Sequence, residues 1–270
     1  MEPPDVTRAD DPRADPFRDL RAQARAPAGA RVVVEGALAV ERLLEGPFEV
    51  EAVLATRSHL EQLAPRLDRR PEVARLATTA QLLSEIAGVE LHRGCMALLR
   101  RPVHAADDPR LDAPPADRSS VVVVAAGIGD PSNLGAIVRC ARALGAALVV
   151  VDGRSTDPFC PRAVRGSMGH VFTQPLVVAT DVADAVRRLR VAGRRVLAAT
   201  LDEGAVALPE LAPPAHAVLL LGNEGDGLAP ALLALADERV SIPMADGVDS
   251  LNVAAAAAVL LYALGPGRRP

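Results

Sequence analysis

Three short segments carry the residue types on which chemistry could rest: GDPSNLGAIVR at 129–139, LLLGNEGDGL at 219–228 and SIPMADGVDSLNVAAAAAVLLY at 241–262. Each sets glycine or polar side chains just beyond an apolar run. In open α/β sheets ligands bind at the carboxyl ends of strands, where glycine lets the backbone turn tightly and approach a bound group. Asn133 can donate and accept, Arg139 offers a fork of donors with no acceptor, and Glu224 offers carboxylate oxygens. Each also has a plainer reading: Asn133 as a turn former or cap, Arg139 as a surface helix cation, Glu224 as a solvated loop acid. Ser250 and Asn252 begin the last apolar run, where free helical N–H groups need partners. Capping is the plain reading of Ser250. Asn252 falls inside the expected first turn of an apolar helix, where an amide is harder to explain as structure. The glycine spacing of GNEGDG is wrong for a dinucleotide fingerprint.

The elements that must position these residues alternate along the chain. Val121–Ala126 is an unbroken apolar, β-branched run, as expected for a strand buried on both faces. It leads through GIGDPSNLG into a helix expected over Ala136–Leu144. Further strands are expected at Ala147–Val151, Val177–Ala179, Arg195–Leu201, Ala217–Leu221 and Arg239–Ile242, with a helix over Asp181–Ala192 capped by Asp181 and a last helix over Ser250–Leu264. Strands alternating with helices indicate a parallel α/β sheet. Upstream, Arg31–Arg101 gives a smaller α/β pattern: strands at RVVVEG, Val50–Thr56 and Cys95–Leu99, helices at Ala37–Leu44, His59–Leu67 and Gln81–Ile86. The resulting division is a flexible tail over 1–28 with a helical turn near Phe17–Ala26, a domain over 29–104, a linker over 105–118 rich in Pro, Asp and Ala, and a domain over 119–266.

Composition narrows the chemistry. All 30 basic residues other than histidine are arginine, so a phosphate-binding loop with its lysine, a Schiff-base enzyme and a lysine general base are excluded. A net charge of −4 argues against a protein that coats nucleic acid through an excess of cations, while leaving room for a local arginine patch. Cys95, Cys140 and Cys160 form no CxxC pair and leave one odd, which suits a reducing cytoplasm better than a disulfide framework or structural zinc. Five histidines without paired spacing suggest no metal site. The acidic, proline-dotted start is wrong for a signal peptide, and Val253–Leu264 is too short to span a bilayer. It reads as a buried helix. Arg187, Arg188, Arg190, Arg194 and Arg195 form a charge run that is read as a solvated face, and Cys140 is read as core.

Taken together, in this order and spacing, the three segments resemble the signature motifs of the SpoU/TrmH family of RNA ribose methyltransferases. Asn133, Gly135 and Arg139 match the first, Gly222, Asn223, Glu224 and Gly225 the second, and Ile242, Pro243, Met244, Ser250, Leu251, Asn252 and Val253 the third. RAVRGSMGHVF at 162–172 looks like a further family segment, with His170 and Thr173 departing from its usual small and basic residues. VVEG at 33–36 and HRGCMALLRRP at 92–102 resemble, more weakly, the family's small ribosomal-protein-like substrate-binding domain.

The resemblance implies an α/β-knot fold, a C-terminal parallel-sheet domain with a deep trefoil knot, behind a smaller N-terminal α/β RNA-binding domain. It implies a homodimer with active sites at the subunit interface, and S-adenosylmethionine held around Thr200, Leu201, Gly222, Asn223, Ile242, Met244, Leu251 and Asn252. The catalytic set would be Asn133, Arg139, Glu224, Ser250 and Asn252, with Arg139, Arg162 and Arg165 on the RNA. A ribose 2′-hydroxyl is a poor nucleophile until its proton is removed or polarised. A guanidinium is normally a donor only, so Arg139 is read as orienting and stabilising charge, Glu224 as its anchor or that of Asn133, and the proton acceptor stays open. The expected activity is methylation of a ribose 2′-hydroxyl in rRNA or tRNA. The alternatives are a catalytically silent knotted RNA-binding protein, a base methyltransferase on the same fold, or a small-molecule α/β enzyme using another nucleotide.

Overall fold

A computed structural model of the protein describes residues 5–18, 29–88, 90, 94–102, 108–114, 119–202 and 204–265. They form two compact units: the described residues up to 102 with Phe159–Thr173, and those of 108–158 with 174–265.

In the first unit, β1 (Arg31–Glu35), β2 (Val50–Ala55), β3 (Ala74–Ala77) and β4 (Cys95–Arg100) make a four-stranded sheet of order β1-β4-β2-β3. β4 runs antiparallel to β1 and β2, and β3 parallel to β2. Helices α1 (Ala37–Glu45), α2 (Arg57–Leu67) and α3 (Ala80–Ala87) accompany it. The Thr56 and Thr79 hydroxyls accept from His59 N and Leu82 N, fixing where α2 and α3 begin. Residues 5–18, expected in a flexible tail, are packed instead. Val6, Ala14 and Phe17 are buried against the sheet, and Val6 N donates to Ala77 O at 2.7 Å. Apolar side chains at 6, 14 and 17 are enough to order a polar, proline-rich stretch. The rest of the expected helical turn, 19–26, lies outside the described residues, as do residues 92 and 93 of the second family match.

The segment 159–173, sequence that lies between two strands of the other unit, belongs to this one. Phe48, Phe159 and Phe172 meet with ring centroids 5.3–6.0 Å apart. Gly169 sits at φ +83°, and a Cβ there would lie 2.9 Å from Ala39 Cα, so glycine is required both for the turn and for the close approach. Met168, at φ +53°, is held in that strained region by Arg42, which donates to its carbonyl.

The second unit is a seven-stranded sheet built of β5 (Ser120–Ala125), β6 (Leu148–Asp152), β7 (Leu176–Ala179), β8 (Arg195–Ala199), β9 (Val206–Ala207), β10 (His216–Leu221) and β11 (Glu238–Ser241). Its order is β7-β6-β5-β10-β8-β11-β9, with every neighbouring pair parallel. β5, β6 and β10 are buried on both faces, which accounts for their unbroken Val and Leu runs. Three helices matter for the site: α4 (Pro131–Ala143), α5 (Val182–Val191) and α6 (Val253–Leu264). Asp181 caps α5 through Asp184 N at 2.9 Å, as expected.

Two helix starts that bear on the site differ from expectation. α4 begins at Pro131 and not Ala136, because Asp130 accepts from Ser132 N and Asn133 N and Pro131 supplies a helix-ready φ at the first position. α6 begins at Val253, so Ser250 lies outside it and Asn252, not Ser250, is the cap.

Residues 108–114, within the expected linker, are fastened to the second unit. Leu111 is buried in its core, Arg188 pairs with Asp112 at 2.6 Å, and Arg194 donates to Ala113 O at 2.8 Å. Arg194 is thereby 7% exposed and not part of a solvated face. The other members of the arginine run are surface residues matched by acids: Arg187 with Asp181 and Asp184, Arg190 with Asp237, and Arg195 with Glu238. Cys140 is half-buried.

Candidate active site

A cavity of about 510 Å³ opens at the carboxyl ends of β8, β10 and β11, three adjacent parallel strands. Its floor is apolar, made by Leu221, Val240, Val253 and Leu260 among others. All eight residues expected around the methyl donor line it: Thr200 and Leu201 after β8, Gly222 and Asn223 after β10, Ile242 and Met244 after β11, and Leu251 and Asn252 before α6.

The wall after β10 is a tight turn. Asn223 and Gly227 exchange backbone hydrogen bonds at 3.0 and 2.9 Å, and Gly227 takes φ +66°. The Asn223 side chain braces the turn on both sides. Its Oδ1 accepts from Gly225 N at 2.8 Å and Asp226 N at 3.3 Å, and its Nδ2 donates to Gly127 O, in the loop after β5, at 2.8 Å. Gly222 has no room for a side chain, since a Cβ would lie 2.4 Å from the Gly227 carbonyl carbon.

Above this turn Asn133, Glu224 and Asn252 form one network. Asn252 Oδ1 caps α6, accepting from Ala254 N at 2.9 Å and Ala255 N at 3.4 Å. Its Nδ2 donates to Asn133 Oδ1 at 3.0 Å and to Glu224 Oε1 at 3.4 Å. Asn133 Nδ2 also donates to Glu224 Oε1. Asn252 is thus both a structural cap and a member of the site. Ser250 lines the cavity two residues upstream.

Arg139 is not brought to this network within one chain. It follows Asn133 by six residues on α4, about 240° around the helix and about 9 Å along it. The side chain is exposed, and its guanidinium makes no hydrogen bond or ion pair among the described residues. Glu224 therefore anchors Asn133, and the expected contact of Glu224 with Arg139 is absent from this chain. Arg162 and Arg165 belong to the first unit, where both are exposed and Arg165 pairs with Glu35.

Two features went unread in the sequence. Asp130 fixes the start of α4, and with it the placement of Asn133; an acid directly before a proline was the available signal. Asp226 adds a third carboxylate to the cavity, with Asp202 and Glu224, while no arginine among the described residues lines it. Asp202 is matched by Arg239 at 2.7 Å. A cavity with carboxylates and no cation favours a positively charged ligand and disfavours a polyphosphate. The residues present therefore fit a sulfonium nucleoside: carboxylates for its charge, and apolar rims at Leu201 and Leu251, 64% and 40% exposed, for its flat base.

Residues 120–262 match the SpoU rRNA methylase family. The chain belongs to that family. An uncharacterized tRNA/rRNA methyltransferase of Mycobacterium bovis is 38% identical over 97% of this chain and 94% of its own length. A 23S rRNA (uridine(2479)-2′-O)-methyltransferase of Streptomyces viridochromogenes is 33% identical, covering 85% of this chain and 80% of the relative. Among solved structures, the S-adenosylmethionine-bound rRNA methyltransferase of Sinorhizobium meliloti superimposes with a TM-score of 0.78 at 28% identity, over 96% of both chains. Within the SpoU family these likenesses extend through both units of this chain. No helix among the described residues is long and apolar enough to cross a membrane.

Proposed function

We propose that this SpoU-family protein methylates a ribose 2′-hydroxyl in rRNA or tRNA, with S-adenosylmethionine as methyl donor. The observation that carries the reading is the Asn133–Glu224–Asn252 network set on the rim of a cavity lined, among the described residues, by carboxylates and no cation. The donor supplies an electrophilic methyl group on a sulfonium. Thr200, Leu201, Gly222, Asn223, Ile242, Met244, Leu251 and Asn252 hold it, largely through the backbone turns after β8, β10 and β11. Asn133 and Ser250 orient the ribose, and the network keeps Asn133 in one rotamer so that the orientation precedes binding.

Arg139 supplies charge and orientation to the substrate from a partner subunit. α4 packs against α6, and α6 leaves Val259 and Tyr262 exposed at 41% and 74% on one stripe with Ala255. Apolar residues at i, i+4 and i+7 share a helix face, and a homodimer that buries this face carries the neighbouring Arg139 across. The chain after β11 completes a trefoil knot around the cavity in this reading. The first unit docks RNA, with Arg162 and Arg165 on phosphate. An rRNA or tRNA substrate places the protein in the cytoplasm.

Thermal unfolding tests the donor assignment. S-adenosylhomocysteine should raise the melting temperature while NAD and ATP leave it unchanged; protection by either nucleotide and not by S-adenosylhomocysteine would overturn it.

A further inference from the structure

We propose that Glu224 is the catalytic base, taking the ribose 2′-hydroxyl proton on its Oε2. The inference rests on the ribose-methylation reading and supplies the proton acceptor which that reading lacks.

The hydrogen bonds in the network are directional. The cap commits Asn252 Oδ1 to Ala254 N and Ala255 N, so its Nδ2 is the atom that donates to Asn133 and Glu224. Asn133, accepting through Oδ1, is left with Nδ2 to give, and gives it to Glu224. Both amides meet the same oxygen, Oε1. Oε2 has no hydrogen-bond partner among the described residues. Within one chain the carboxylate is held by one oxygen, from α4 and from the cap of α6, and keeps the lone pairs of the other free.

No other side chain of the site is equipped for the task. Amides and a guanidinium hold no lone pair available to a proton, and the Ser250 hydroxyl would itself need a base. Asp202 is matched by Arg239. Asp226 has no side-chain hydrogen bond among the described residues to position it, whereas a general base must be fixed within reach of the proton it removes.

The step balances. The 2′-oxygen bonds to the methyl carbon, the carbon–sulfur bond breaks with its electron pair left on sulfur, and the 2′-O–H proton passes to Glu224 Oε2. A sulfonium and a carboxylate become a neutral thioether and a neutral acid, so charge disappears on both sides of the transferring group. Glu224 is exposed, so its proton returns to water once the product RNA leaves.

Glu224→Gln separates this role from a holding role. Glutamine keeps an acceptor oxygen for the two amides and places an NH₂ where Oε2 stood. The expected result is S-adenosylhomocysteine affinity and melting temperature close to wild type, with single-turnover methyl transfer at saturating RNA and donor slowed by about 100-fold or more. In Glu224→Ala, formate and acetate should restore rate, the more basic carboxylate restoring more. A Glu224→Gln rate within about tenfold of wild type would overturn the proposal and leave Glu224 a positioning residue. So would a slow Glu224→Gln that has also lost S-adenosylhomocysteine affinity or melting temperature, if formate fails to rescue Glu224→Ala. A wild-type protein that methylates no RNA would instead sink the ribose-methylation reading, and Glu224 as base with it.

Discussion

Replacing Asn252 by serine should leave the protein as stable as wild type and yet slow it severely. Asn252 does two separable things: its Oδ1 caps α6 through two backbone N–H groups, and its Nδ2 holds Asn133 and Glu224. Serine caps a helix about as well as asparagine, so the stability change should stay within about 0.5 kcal/mol. Its hydroxyl is too short to cap and also reach Asn133 and Glu224. The variant therefore loses one hydrogen bond to a neutral acceptor and one to a carboxylate, the second worth about 1.5–3 kcal/mol. Both released groups are solvent-accessible, so the loss falls on orientation in the transition state. A loss of that size corresponds to a turnover slowed by about 10- to 100-fold. Asn252→Ala provides the contrast. It loses the cap as well, about 1 kcal/mol, which for a chain of this size lowers the melting temperature by about 2–4 °C. Thermal unfolding and single-turnover methyl transfer on the same preparations read the two effects independently. Full activity in Asn252→Ser would refute the positioning role of the amide. Activity lost only in Asn252→Ala, in step with its lost stability, would mean that Asn252 matters only as a cap.

Arg139→Ala should abolish methylation while leaving the melting temperature and S-adenosylhomocysteine affinity unchanged, because the side chain is exposed and bonded to none of the described residues; calorimetric titration that shows lost affinity would contradict this. Mixed dimers of Arg139→Ala with Asn252→Ala should regain activity, since one of their two sites holds both residues, and failure to complement would place Arg139 in its own chain's site. Gly222→Ala drives a Cβ to 2.4 Å from the Gly227 carbonyl carbon, so the turn must open, and donor affinity by calorimetry should fall by more than about tenfold. Tyr262→Asp puts a charge on the exposed stripe of α6, and light scattering should report a monomer that no longer methylates; a dimer of unchanged stability would move the interface elsewhere.

Much of this architecture was legible because parallel strands buried on both faces leave unbroken Val and Leu runs, as at Val121–Ala125 and Leu219–Leu221. Six of the eight cavity residues were legible from the motif match, and Thr200 and Leu201 from what the family resemblance implies; each follows a strand end or precedes the last helix. What failed were boundaries decided by single caps. Asp130 and Pro131 start α4 within a stretch that reads as loop, and Asn252 displaces Ser250 as the cap because its amide serves helix and network together. The unit to which a segment belongs was also hidden. Phe159–Thr173 joins the first unit through the Phe48–Phe159–Phe172 cluster and the Gly169–Ala39 contact, long-range packing that leaves no periodic trace in sequence. The order of residues 5–18 was missed for the same reason, since three buried side chains spaced by polar ones match neither the helix nor the strand period.

Where a transferred methyl group ends up separates ribose methylation from its alternatives. Unmodified total RNA should be incubated with the protein and S-adenosylmethionine carrying a labelled methyl group, then hydrolysed in alkali and mapped. Alkaline cleavage requires a free 2′-hydroxyl, so ribose methylation predicts label in a single alkali-resistant dinucleotide from rRNA or tRNA. Label released entirely in alkali-sensitive mononucleotides would place the methyl group on a base and contradict ribose methylation.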